Sequence, residues 1–403
     1  MRAPLVAAVL ISSLAAAHAA DLPVFRIGVL NDQSSLYSDI AGPGSVTAAQ
    51  MAVEDFKPET HGFKVEVISA DHQNKPDVGS SIVRRWYDTE KVDAVVDLPT
   101  SSVALAVADI SRDKNKVLLV ASAGTSDLTG KACTPNTVHW TYDTWALANG
   151  TARAMIKQGG DTWFFLTADY AFGHALERDA SEVVAANGGK VLGHVLAPFQ
   201  SADFSSFIVQ AQSSGAKVVA LANSGGDTIN SVKQSAEFGL SQKQKLVSLL
   251  IFLSDVHSLG LQTAQGLMLT NAFYWDMNDG TRAFGKAFGA RNSGRMPTMN
   301  QAGTYASTLH WMKAIAAMDK TKARDGAAVV AKMKELPTDD PLFGKGKIRA
   351  DGRTIHDMYL WQVKSPAESK GPYDYLKLVA TIPGDEAFRP MSPDLCPMLK
   401  KAQ

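Results

Sequence analysis

A run of hydroxyl residues, Thr100-Ser101-Ser102, stands between a β-branched apolar stretch at 92–98 and a helix-period segment at 103–112. That order places hydroxyls and free backbone N–H groups at a helix N-terminus, where the helix dipole favours an anion such as a carboxylate. Ser101 or Ser102 would equally well cap its own helix. Two more loops of small and polar residues follow strand-like runs in the same way: 31–37, which ends in Tyr37, and 121–127, which carries Ala123, Gly124 and Thr125. A second set occurs further along, at 167–173 with Tyr170, at 223–227 with Ser224, and at 249–255 with Leu249. Tyr170 falls where a helix begins. Its ring there either covers an apolar ligand group while its hydroxyl bonds a polar one, or packs between strand and helix.

Patterns for covalent or metal chemistry are missing. Gly344-Lys345-Gly346-Lys347 lacks the spacing and the hydroxyl of a phosphate-binding loop, and Ser224-Gly225-Gly226 resembles a nucleophile elbow in composition only. The 9 histidines are scattered, and His61, His72 and His139 share no ligand spacing. We expect a binding protein rather than an enzyme, with no metal and no cofactor. A secreted hydrolase or transferase on a similar scaffold is the rival reading, and it would need a nucleophile–base pair in the cleft.

Composition narrows the partners. Lys and Arg total 40 against 40 Asp and Glu, a balance that argues against nucleic acid and against a polybasic membrane surface. With 45% hydrophobic and 20% charged residues the chain is globular, and 403 residues exceed what one core supports. Arg2 is the only charge before Asp21, and the apolar stretch 5–17 is shorter than the roughly 20 residues a membrane span needs. It ends in Ala17-His18-Ala19, so we expect residues 1–19 to be a cleavable signal peptide and the mature chain to be exported, without membrane insertion. In an oxidising compartment the only two cysteines, Cys133 and Cys396, should bridge.

The polar loops need a frame, and the hydropathy pattern supplies one. Strand-like runs at 25–30, 65–70, 92–98 and 117–121 alternate with helix-period segments at 46–56, 78–89 and 103–112. The rhythm restarts after Thr141, with strands expected at 162–167, 190–197, 218–222, 245–252 and 266–269. Helices follow at 281–291, 299–318 and 325–336, then strand-like pieces near 346–349, 358–363 and 373–381. Alternation of this kind means right-handed crossovers and parallel sheets covered on both faces. The expected fold class is therefore α/β: two Rossmann-like lobes with parallel sheets, joined by a three-segment hinge, with a ligand cleft between them. We expect 24–142 with 273–345 in lobe one, 143–272 with 346–381 in lobe two, and 382–403 as a C-terminal tail. Loops at the C-terminal edges of such sheets are where ligands sit.

At this level of detail the chain resembles the periplasmic solute-binding proteins of ABC importers, in the leucine/isoleucine/valine-binding group. The likeness runs from about 24 to 366. Its carriers are Tyr37-Ser38, the Thr100-Ser101-Ser102 loop, the segment from Ser122 to Thr129, Asp169-Tyr170 with Gly173, and Thr304-Tyr305-Ala306. The resemblance implies a monomeric receptor that holds an amino acid of branched-chain type, or a related small carboxylate, and delivers it to a permease in the inner membrane. Thr100, Ser101 and the loop Ala123, Gly124, Thr125 would hold its carboxylate or amino group, and Tyr37 and Tyr170 would close over it. Leu249 stands where the family carries an acid for the ligand ammonium, and Ser224 where it carries a tyrosine. Either Asp169, Asp227 or Asp255 replaces that acid, or the ligand has no ammonium. The alternatives are a receptor for aromatic acids or short amides, or a sensor of the same fold.

Overall fold

The computed structural model describes residues 22–401, and the expected signal segment 1–19 lies outside the described residues. The first lobe is built on five parallel strands: β1 (Val24–Asn31), β2 (Lys64–Asp71), β3 (Ala94–Asp97), β4 (Val117–Val120) and β5 (Thr137–His139). Their order is β2-β1-β3-β4-β5. Every residue of β3 and β4 is buried, as uninterrupted apolar runs require when helices cover both faces. Those helices include α1 (Gly42–Phe56), α2 (Pro76–Asp88) and α3 (Ser101–Asp113). In α2 the buried residues Gly79, Val83, Trp86 and Tyr87 recur at helical spacing and turn one stripe to the sheet.

The second lobe repeats the scheme. Helices α4 (Thr144–Lys157) and α5 (Ala171–Ala186) flank β6 (Thr162–Ala168), and β7 (Lys190–Ala197), α6 (Ser205–Ser213), β8 (Val218–Ala222), α7 (Gly226–Glu237) and β9 (Lys245–Ser248) follow. All four strands are parallel, in the order β7-β6-β8-β9. Next come α8 (Leu253–Leu259), α9 (Leu261–Ala264) and β10 (Met268–Asn271). The chain then returns through α10 (Asp279–Arg291), α11 (Met299–Ala316) and α12 (Gly326–Glu335). Helix α11 packs on α1 and β3, and α12 on β4. A small antiparallel sheet joins β11 (Thr338–Asp340), β12 (Gly344–Ile348) and β13 (Thr354–Ile355), and another joins β10, β14 (Met358–Val363) and β15 (Leu376–Ile382).

One local expectation is corrected. The run 245–252 reads as one strand, but β9 ends at Ser248. Leu249 to Phe252 stay buried outside the sheet, and the Asp255 carboxylate then takes the N–H of Phe252 to open α8. Hydropathy follows burial, which continues across the break, so it misses the stop. The piece near 346–349 was expected in lobe two, from 346 onward. It pairs with β11 and β13, and Arg353 bridges to His139 beside the first lobe's sheet. Short, Gly- and Lys-rich strands carry no sequence signal for their partner. The three-residue β5 was not foreseen at all.

The passage from β5 into α4 runs beside the passage from β13 into β14. His356 Nε2 bonds the Trp140 carbonyl at 3.1 Å, and Arg353 donates to the Tyr142 carbonyl at 2.8 Å. The tail is ordered across this region. Cys133 and Cys396 are joined, with Cα atoms 5.7 Å apart and a sequence separation of 263. Arg389 lies 4.2 Å over the Trp145 ring and reaches Asp179 at 3.1 Å and Glu182 at 2.6 Å. Among the described residues no helix is long and apolar enough to cross a membrane.

Replacing Cys133 and Cys396 together with serine should lower unfolding stability by about 2–5 kcal/mol, since the bond closes a long loop. Chemical denaturation of both proteins measures it. A loss below about 1 kcal/mol would mean that the strap is held by Arg389 and its neighbours alone.

Candidate ligand cleft

The floor of the cleft begins at the end of β3. Asp97 and Leu98 adopt left-handed backbone angles, with φ of 91° and 56°. Such positions cost about 1–3 kcal/mol each and persist only where surroundings enforce them. Here the enforcement is visible. The Asp97 carboxylate accepts from Asn31 Nδ2 at 2.8 Å and from the Ser122 hydroxyl, while its backbone carbonyl takes the N–H groups of Ala121 and Ser122. Burial pushes its carboxyl up to about 6, against the pull of the hydroxyl and amide donors.

That turn delivers Thr100 to the N-cap position of α3. The Thr100 hydroxyl donates to Asn74 Oδ1 and accepts no N–H of its own helix, and no side chain caps α3. Ser101 Oγ accepts the N–H of Thr125 at 3.3 Å. The capping alternative is thus not realised. Asn74 is itself fixed twice: its N–H donates to His72 Nδ1 at 3.0 Å and its Nδ2 to Asp32 Oδ2 at 2.6 Å. Burial lowers His72 to about 4, so it accepts as a neutral ring. Asp32 also takes the N–H groups of Ser35 at 2.9 Å and Tyr37 at 2.8 Å. One buried network therefore links the helix start to the Tyr37 loop.

The loop Ala123, Gly124, Thr125 is pinned from behind. Ala123 O bonds His139 Nε2 at 2.7 Å, Gly124 O accepts the Thr144 N–H at 2.7 Å, and Ser122 O accepts the Tyr142 hydroxyl at 2.5 Å. Gly124 has no room for a side chain: a Cβ would stand 2.7 Å from Phe172 and 3.0 Å from Tyr142.

The second lobe meets this floor through Tyr170, at the start of α5. Its hydroxyl lies 2.5 Å from that of Tyr37, and its ring stacks on Phe199 with centroids 4.2 Å apart. Phe199 also approaches Tyr37, at 5.8 Å. Burial pushes both tyrosyl hydroxyls up, which keeps them neutral. Ser224 is buried beside Gly225, whose φ is 60° and whose missing Cβ would come 2.9 Å from Leu36 O and 3.0 Å from the Tyr37 ring. The lobes are thus closed on one another.

The three candidate acids part company. Asp169 is exposed and bonds His174 at 2.9 Å. Asp255 is buried within the N-terminal cap of α8. Asp227 is 2% exposed, and its Oδ2 takes the Gln200 N–H at 3.1 Å. Burial pushes its carboxyl up to about 7.

Of the expected site residues, Tyr37, Thr100, Ser101, Ala123, Gly124, Thr125, Tyr170 and Ser224 sit at the facing edges of the two sheets, and all but Tyr170 are buried. Leu249 is fully buried and belongs to the apolar cluster that includes Tyr142 and Phe252. The reading missed Asp32, Asn74 and Phe199. Asp32 lies in the recognised loop 31–37 without being singled out there, whereas His72-Gln73-Asn74 follow β2 as the recognised loops follow their strands, so the same edge rule would have found Asn74. Of the aromatics near the crossings, Tyr274 and Trp275 both donate to the Tyr373 carbonyl, at 2.6 and 2.9 Å, and hold the approach to β15.

The geometry is that of a two-lobed clamp, and comparison agrees. The model of the periplasmic binding protein family matches residues 24–372. The chain belongs to the periplasmic binding protein family. Its architecture matches a periplasmic binding protein from Burkholderia mallei with a TM-score of 0.89 and 48% identity, over 93% of this chain and 98% of that one. A branched chain amino acid ABC transporter periplasmic ligand-binding protein from Burkholderia xenovorans LB400 shares 39% identity, with a TM-score of 0.79 over 91% and 97% of the two chains. A Leu/Ile/Val-binding protein homolog 6 of Brucella melitensis is 25% identical over 227 residues, 56% of this chain. The match spans 57% of that relative's length.

Gly124→Val and Gly225→Ala should each obstruct closure, because the added carbon meets the opposite lobe or its hinge. Small-angle scattering should show both variants more open than the parent under any condition that closes it. A variant that closes as fully as the parent would show that these contacts yield.

Proposed function

We propose that this chain is the solute-capturing component of an ABC importer, exported by a cleavable signal peptide and working as a monomer in the periplasm. It takes up an amino acid of branched-chain type or a related small carboxylate between its lobes and presents the closed form to a membrane permease. The observation that carries this reading is the contact of the Tyr37 and Tyr170 hydroxyls, at 2.5 Å, from opposite lobes over an uncapped helix start. The free N–H groups of α3 and the Thr100 hydroxyl suit a carboxylate. Micromolar affinity requires about −8 kcal/mol, within reach of a few charge-assisted hydrogen bonds and one buried apolar group. Open and closed forms then differ by only a few kcal/mol, so that solute shifts the population. The division into lobes that fits the pairing is 24–142 with 273–355, and 143–272 with 356–382.

A second reading rests on the Tyr170–Phe199 stack, an aromatic wall that favours an aromatic acid. Titration calorimetry with aliphatic amino acids, their 2-oxo analogues and hydroxybenzoates separates the two. Heat from none of them would remove the ligand assignment. Thr100→Val and Tyr170→Phe should each weaken the solute that binds by about tenfold in a protein that still folds, and Thr100→Val should also cost about 1–3 kcal/mol of stability because Asn74 Oδ1 loses its donor. Unaltered affinity in both would take these residues out of the site.

A further inference from the structure

Buried charge in this protein is consistently paired. Asp97 is bonded by Asn31 and Ser122, and Asp179 by Ser126, Thr144, Arg178 and Arg389. Asp143 faces Arg353, and Asp255 caps α8. Asp227 breaks the pattern: among the described residues its Oδ1 is the one buried carboxylate oxygen without a hydrogen-bond partner. A carboxylate kept for stability alone would be paired, because an unpartnered buried charge is costly.

Its position gives the vacancy in that bonding pattern a meaning. Asp227 lies in the first turn of α7, two residues after Gly225, where an added Cβ would meet the Tyr37 ring. The groups acting on its carboxylate are the N–H groups of Gln200 and Ser201, from the loop that also carries Phe199. That loop reaches the facing tyrosines, since the Phe199 ring lies against Tyr170, at the start of α5, and Tyr37, in the loop before α1. No lysine, arginine or histidine among the described residues hydrogen-bonds or ion-pairs with it. It is therefore a buried acid beside the cleft that has no cationic partner in the protein and one oxygen left unbonded.

Resting on the importer reading above, we propose that Asp227 is the specificity-determining residue of the cleft: it pairs with a cationic amine of the solute, and a solute without an amine binds only by bringing a proton to Asp227 in its place. The acid thus sits at the head of α7, not at Leu249, where the sequence resemblance alone would seek it. Charge balance is complete in both cases, by an ammonium in one and by a proton from solvent in the other.

The test uses the full mature chain and matched probes: alanine, valine and leucine against the 2-oxo acid of each. Calorimetry from pH 6 to 8, in two buffers of different ionisation enthalpy, counts protons taken up on binding. The expected result is a flat profile with no proton uptake for the best amino acid. Its 2-oxo analogue should bind more weakly, take up close to one proton, and tighten as pH falls. Asp227→Asn should weaken the amino acid by about 100-fold, leave the 2-oxo acid within about threefold, and abolish its pH dependence. Proton counting on the parent protein stands even where the variant fails to fold. The proposal is overturned if a 2-oxo or benzoic acid binds the parent tightly with no proton uptake, or if a folded Asp227→Asn variant keeps the amino acid; the importer reading survives both. Silence from every probe overturns the two together.

Discussion

A parallel sheet is a polar object: every strand delivers its C-terminal end to the same edge. With helices covering both faces, that edge is the one place where loops can gather polar side chains without disturbing the core. Two such sheets, linked so that their edges face one another, define a cleft before any individual side chain is chosen. The site of this protein is a decoration of that constraint, and the residues at the edges are free to vary only within it.

The two edges are furnished differently. The first lobe is densely bonded, with Asp97, Asn74, Asp32 and His72 locking the loops around Thr100 and Tyr37. Its polar groups are largely spoken for before a solute arrives, so it presents a preorganised surface and loses little entropy on binding. The second lobe brings rings, Tyr170 and Phe199, and an acid with one oxygen to spare. Rigid recognition on one side and an adaptable cover on the other is a division of labour suited to a clamp that must discriminate and still release.

Much of this was legible from residues alone. Apolar runs marked β1, β6 and β8 closely, because burial leaves a strong hydropathy signal, while the edge strand β7 alternates exposed and covered residues. The edge loops followed from strand ends. What escaped did so for physical reasons. Hydropathy reports burial, not hydrogen bonding, so it ran β9 through Leu249 to Phe252. Pairing of short strands is decided by tertiary contact, so hydropathy marked the run 346–349 without naming its partners β11 and β13. Three aspartates looked equivalent in sequence, and only burial and bonding separated Asp227 from Asp169 and Asp255.

The bond between Cys133 and Cys396 encloses the whole of the second sheet in a covalent ring. A protease that cuts any exposed loop within that ring opens it without dividing the molecule. In a compartment rich in such enzymes, a nicked copy keeps all its strands together, and its two pieces part only when a reductant reaches the sulfurs.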